Sequence, residues 1–150
     1  MTGSDLKNKS LARLKTVKIL MTAADWEMAA YILGYVVEYA LKSATCKTLR
    51  LKHYPELAVI QKEIDVQYFQ THNFEELLLI SGLDPILGPR GESESWRNWG
   101  EFTLVYKGNW TKMRYDTGSN WDKSSVEKLY NNVTASRNGI LSEIKRRKRW

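Results

Sequence analysis

The chain has 150 residues, 43% of them hydrophobic, a formal net charge of +6 and one cysteine. That length buries one core and is short for two, so a single domain over residues 1–150 is expected. The lone Cys46 excludes an intrachain disulfide framework or a cysteine-based metal site, and no uncharged run reaches the roughly eighteen residues that would span a membrane, which points to a reducing, cytoplasmic setting.

The opening segment MTGSDLKNKSLARLKTVKIL lacks a signal-type apolar block. Within it Leu11, Leu14, Val17, Leu20 and Met21 recur at spacings of three and four between Arg13, Lys15 and Lys18, the stripe of a surface helix. Thr22 or Asp25 is expected to cap the next helix. That helix, Trp26 to about Thr48, is apolar almost all the way round, so it should lie in the middle of a bundle. Gly34 costs about 1 kcal/mol there relative to alanine unless a neighbour packs against the bare backbone, and close helix packing is the expected reason. Glu38 and Lys42, four apart, are placed to pair.

Pro55 breaks the chain, and Glu56 to Ile64 reads as a short helix. Thr71-His72-Asn73 then precedes a helix from Phe74 to Ile80, with acids in its first turn and Gly82 and Pro85 as its stop. Residues 84–95 form a loop rich in proline and glycine. Trp96, Trp99, Phe102 and Tyr106 recur at helical spacing up to Gly108, and a last helix starting at Asp122 or Ser124 carries Val126, Leu129, Tyr130, Val133, Ile140 and Ile144. The expected class is all-α, an up-and-down bundle of about five helices.

Charge is uneven along this path. Residues 1–53 hold nine Lys and Arg against four acids, residues 54–106 three against nine, and residues 107–150 eleven against four. Five positive charges form one run, Lys145-Arg146-Arg147-Lys148-Arg149, so the basicity is chiefly that of a tail at residues 145–150. Such a tail either attracts phosphates by counterion release or is simply a solvated end. Trp110, flanked by Lys107, Lys112 and Arg114, could join Trp96, Trp99 and Tyr115 as a stacking surface for unpaired bases, although aromatics at helical spacing more often serve as core. No phosphate-binding glycine loop, zinc spacing or nucleophile elbow is present, so no cofactor or metal is expected.

Taken in order, several residues resemble the HEPN family, compact helical domains named for higher eukaryotes and prokaryotes nucleotide-binding. They are Ala12-Arg13-Leu14, Asp25-Trp26, Gly34-Tyr35-Val36-Val37-Glu38 with Ala40-Leu41-Lys42, Tyr54-Pro55, Thr71-His72-Asn73-Phe74, Gly82-Leu83 and Trp110 with Arg114-Tyr115. The resemblance implies a homodimer and a prokaryotic toxin–antitoxin or defence setting, with RNA, a nucleotide or a partner protein such as a nucleotidyltransferase as ligand. Many members are metal-independent ribonucleases that present an Arg followed four to six residues later by a His. The imidazole moves the proton of the RNA 2′-hydroxyl and the guanidinium steadies the phosphorane.

That motif is absent here: His53 follows Arg50 by three residues, and no arginine occupies the six positions before His72. Arg50 and His53 would lie about one helical turn apart if helical, where both could face the same phosphate, or else are exposed residues at a helix end. His72 is either a helix-start residue whose ring bonds a neighbouring loop or, like His53, a candidate histidine of a divergent ribonuclease using Arg50 or Arg114. A binding or assembly protein without ribonuclease activity is the expected function, with the divergent ribonuclease and a structural scaffold as alternatives.

Overall fold

Thr2 starts the first helix, α1 (Gly3–Thr22). Its hydroxyl accepts from the Asp5 amide at 3.1 Å while the Asp5 carboxylate accepts from the Thr2 amide at 2.9 Å. This reciprocal cap, worth about 1 kcal/mol, sets the helix start well before the apolar stripe that begins at Leu11. The computed structural model describes residues 1–55, 69–83, 93–116, 121–148 and 150. The expected short helix at Glu56–Ile64 and most of the expected loop at residues 84–95 lie outside them.

Asp25 caps α2 (Trp26–Thr48), its carboxylate accepting from the Met28 amide at 3.2 Å. The short turn between the helices makes them antiparallel: the Ser10 hydroxyl donates to the Val36 carbonyl and the Ser43 hydroxyl to the Gly3 carbonyl, both at 2.7 Å. From Ala29 to Cys46 most of α2 is buried. It packs against α1, against α3 (Phe74–Ile80), against α5 (Lys123–Thr134) and α6 (Ile140–Lys148), and against a 3-10 helix at Trp110–Tyr115. The apolar helix is therefore the axis of the core, as its all-round hydrophobicity requires.

Asn73 caps α3, its side-chain oxygen accepting from Glu75 at 2.9 Å and Glu76 at 3.4 Å, and Gly82 at φ 68° ends it. Ser93 caps α4 (Glu94–Val105), which turns Trp96, Trp99 and Phe102 into the core. Beyond it the buried Tyr106 hydroxyl donates to the Ala30 carbonyl at 2.6 Å.

Three expectations change. Gly34 does face a close neighbour, but that neighbour is an indole and not a helix backbone: a Cβ at residue 34 would lie 2.6 Å from Trp110 Cζ3. The last helix divides in two. The backbone turns extended at Ala135 (ψ 134°), and a Cβ at Gly139 would meet the Ala135 backbone nitrogen and oxygen at 2.5 Å. Six α-helices and one 3-10 helix thus stand among the described residues where about five were expected, all within the all-α class; the β-structure there is one isolated bridge, Thr2 to His53.

The third change concerns the basic end. Lys145 to Lys148 belong to α6 and not to a free tail. Glu143, 3% exposed, accepts from the Ser95 hydroxyl of α4 at 2.8 Å and pairs with Arg146, while its other oxygen lies 3.8 Å from Arg147 Nε. Arg149 lies outside the described residues, but Trp150 folds back, its indole donating to the Ser43 hydroxyl at 3.2 Å. No described helix is long and apolar enough to cross a membrane.

Candidate functional site

One stripe of α2 stays half-open. Tyr31, Tyr35 and Tyr39, spaced by four, form a row with ring centroids 5.3 and 5.8 Å apart. The first two hydroxyls lie 3.0 Å from each other. Behind the row sits the Trp110 indole, 4.9 Å from the Tyr35 ring and 5.8 Å from that of Tyr31. Burial, then the Tyr31 hydroxyl, pushes the Tyr35 phenol well above its ordinary range, so it stays neutral. Cations border the row: Lys9 Nζ stands 5.9 Å from the Tyr39 ring, Arg114 reaches the Tyr31 hydroxyl, and Arg13 lies near Tyr39, whose phenol burial and then Glu38 nonetheless push above its ordinary range.

At the end of the row Glu38 is 2% exposed and holds two partners. Lys42 Nζ donates to Oε1 at 2.7 Å, and His72 Nδ1 lies 2.9 Å from Oε2. Burial alone would raise this carboxyl, but the His72 bond and the Lys42 charge outweigh it and hold the group below the ordinary carboxylate value. A buried charge is tolerated only when its oxygens are satisfied in this way. With Nδ1 committed to Glu38, His72 presents Nε2 as its remaining nitrogen, and a side chain 43% exposed lets solvent or a ligand reach the ring. Lys42 Nζ also lies 5.3 Å above the Tyr54 ring, at a cleft of about 260 Å³ lined by Tyr39, Lys42, Tyr54 and Phe69.

Glu38 and Lys42, four residues apart on α2, and His72, 34 positions from Glu38, therefore meet at one point. Compared with protein-family models, with curated proteins and with solved structures, the chain gives no match.

The remaining candidates fall elsewhere. α2 ends at Thr48, and Arg50 adopts a left-handed conformation (φ 55°) with the Leu51 amide bonded to the Cys46 carbonyl at 2.8 Å. Arg50 and His53 are thus exposed residues beyond the helix and not a one-turn pair; His53 bridges Thr2. His72 bonds a helix side chain where a neighbouring loop was expected. Trp110 is 2% exposed and presents no open face, as Trp96 and Trp99 are also core residues. Lys112, Arg114 and Tyr115 are exposed, with the Arg114 guanidinium 4.6 Å above the Tyr115 ring. Lys145, Arg146 and Arg147 are exposed on α6. No three metal-ligating side chains converge among the described residues. The row Tyr31, Tyr35, Tyr39 was the missed feature, although its four-residue spacing stands in the sequence.

Proposed function

We propose that the chain is a HEPN-like helical module that engages RNA or a nucleotide through the Tyr31–Tyr35–Tyr39 face of α2, and that it works as a homodimer. One observation carries the reading: a half-open tyrosine row bordered by Lys9, Arg13 and Arg114 and ending at Lys42, beside which the acid, Glu38, is buried and already neutralised. Bases stack on phenol rings whatever their identity, and the bordering cations supply the salt-dependent attraction for phosphates.

Fluorescence anisotropy of a labelled single-stranded RNA tests it. Tyr39→Ala should weaken binding by about tenfold, within the range of one lost stacking contact. Arg13→Ala should flatten the salt dependence by about one counterion. Unchanged binding in both variants refutes the face, and no binding by the intact chain leaves the scaffold reading. Light scattering that gives a monomer at high concentration refutes the homodimer.

The contact between Glu38 and His72 Nδ1 favours a second reading, the divergent metal-independent ribonuclease. There Glu38 orients the imidazole, Nε2 takes the 2′-hydroxyl proton and Lys42 faces the phosphate. Cleavage of RNA in the presence of a chelator, lost in His72→Ala, would establish it over binding alone.

A further inference from the structure

A narrow cavity lies where α4 and α6 close over α2 and α3, and every described residue lining it is buried. We propose that this cavity binds one water molecule, which bridges the Trp99 indole N–H of α4 to Glu143 Oε2 of α6. It shares no residue with the tyrosine face and is independent of the function proposed for that face.

Two unmatched polar atoms carry the inference. The Trp99 indole nitrogen and Glu143 Oε2 are both buried and have no hydrogen-bond partner among the described residues, and both residues line the cavity. One atom is a donor and the other an acceptor. Arg147 Nε stands 3.8 Å from Glu143 Oε2, too far for a hydrogen bond, while Arg146 and the Ser95 hydroxyl hold the other oxygen. Beside aliphatic side chains such as Leu41, Leu78 and Ile144, the two atoms lose their hydration and gain no protein partner in return.

Their placement follows from the two helices. Ser95 and Trp99 are four residues apart on α4 and share one face of it. The Ser95 hydroxyl donates to Glu143 Oε1 at 2.8 Å, which brings the carboxylate onto that face. The cavity leaves about 10 Å³ for the centre of a water-sized sphere, close to the roughly 10–15 Å³ that a single water needs and far below the volume of a small-molecule site. A water there accepts from the indole and donates one proton to Glu143 Oε2 and the other to Ser95 Oγ, whose lone pairs serve as acceptors. Three bonds are the usual complement of a buried water. The bridge completes the solvation of the carboxylate that holds Arg146, so α4 and α6 are joined by a polar seam and not by aliphatic contact alone.

The test is a high-resolution crystal structure of the full chain, with water–protein ROESY in solution beside it. One solvent atom should lie within about 2.7–3.2 Å of both Trp99 Nε1 and Glu143 Oε2, and the Trp99 indole proton should show a dipolar cross-peak to long-lived water. Ser95→Ala removes the exchangeable hydroxyl that could relay such a cross-peak, and both the solvent atom and the cross-peak should persist. Trp99→Phe takes away the donor and keeps the wall apolar, and the solvent atom should be lost from that position. A dry cavity, a direct bond between Trp99 Nε1 and Glu143, a cross-peak that vanishes in Ser95→Ala, or a solvent atom unchanged in Trp99→Phe would each overturn the proposal. Should Trp99→Phe fail to fold, the native and Ser95→Ala chains decide the matter.

Discussion

Replacing Gly34 by alanine sets two opposed effects against each other at one atom. Alanine in a helix interior is favoured over glycine by about 1 kcal/mol. At this position, however, the new methyl would meet Trp110 Cζ3 at 2.6 Å and Cε3 and Cη2 at 2.8 Å, so the indole must retreat by about 0.8 Å to regain ordinary contact at 3.4 Å. It has nowhere to go: Phe74 stacks on it at 5.7 Å, and Tyr35 and Tyr106 meet it edge-on at 4.9 and 5.9 Å. Overpacking of a rigid core typically costs about 1–3 kcal/mol. The balance is a net loss of up to about 2 kcal/mol, or up to about 8 °C in Tm for a chain of this size. Urea unfolding should show a lower midpoint with an unchanged slope. In a Trp110→Leu background, where a smaller side chain faces residue 34, the same substitution should instead stabilise by up to about 1 kcal/mol. Greater stability of Gly34→Ala in the native background, or an identical effect in both, refutes the packing argument.

Ala24 sits at φ 58° in an exposed turn that closes α1, so Ala24→Gly should stabilise the chain by about 1 kcal/mol in thermal unfolding; a loss would show that the strain is absent. Tyr106→Phe removes the hydroxyl that donates to the Ala30 carbonyl in full burial, and denaturant unfolding should register a loss of about 1–1.5 kcal/mol; no loss would mean the bond adds nothing. Glu38 is held below its ordinary value of 4.5, so its charged form adds stability that is complete above about pH 4.5 and is lost as pH falls through the lowered value. Glu38→Gln should therefore be less stable than the native chain at pH 7, with the gap closing on acidification, and a gap independent of pH would refute the assignment.

What the sequence discloses depends on how far apart the interacting residues stand. The bounds of α2 were readable because Asp25 is its own cap and the apolar run ends near Thr48. The Glu38–Lys42 pair was readable because four residues on a helix bring side chains together. The third member, His72, lies 34 positions from Glu38, and no local period announces that meeting. Gly34 signalled a close neighbour but not its identity, since Trp110 arrives from a 3-10 helix that carries no hydrophobic period of its own. The early start of α1 was overlooked because a cap at Thr2 and Asp5 is a hydrogen-bond signal, silent in a reading of apolar stripes. The division between α5 and α6 comes where the backbone turns extended at Ala135 and Gly139 leaves room for the turn, which the continuing apolar pattern conceals.

The carboxylate of Glu143 alters what an approaching polyanion would encounter at the chain's end. Arg146 and Arg147 both turn toward it, so a census of basic residues on α6 overstates the uncompensated charge offered there. A salt titration of RNA binding should then count fewer released counterions from this helix than its run of lysines and arginines suggests. Clipping the chain after Ile144 is correspondingly a poor probe of electrostatics, for it also strips the buried Glu143 of Arg146 and Arg147 and frees Ser43 from the Trp150 indole. Charge reversal at single exposed positions separates attraction from architecture where deletion confounds them.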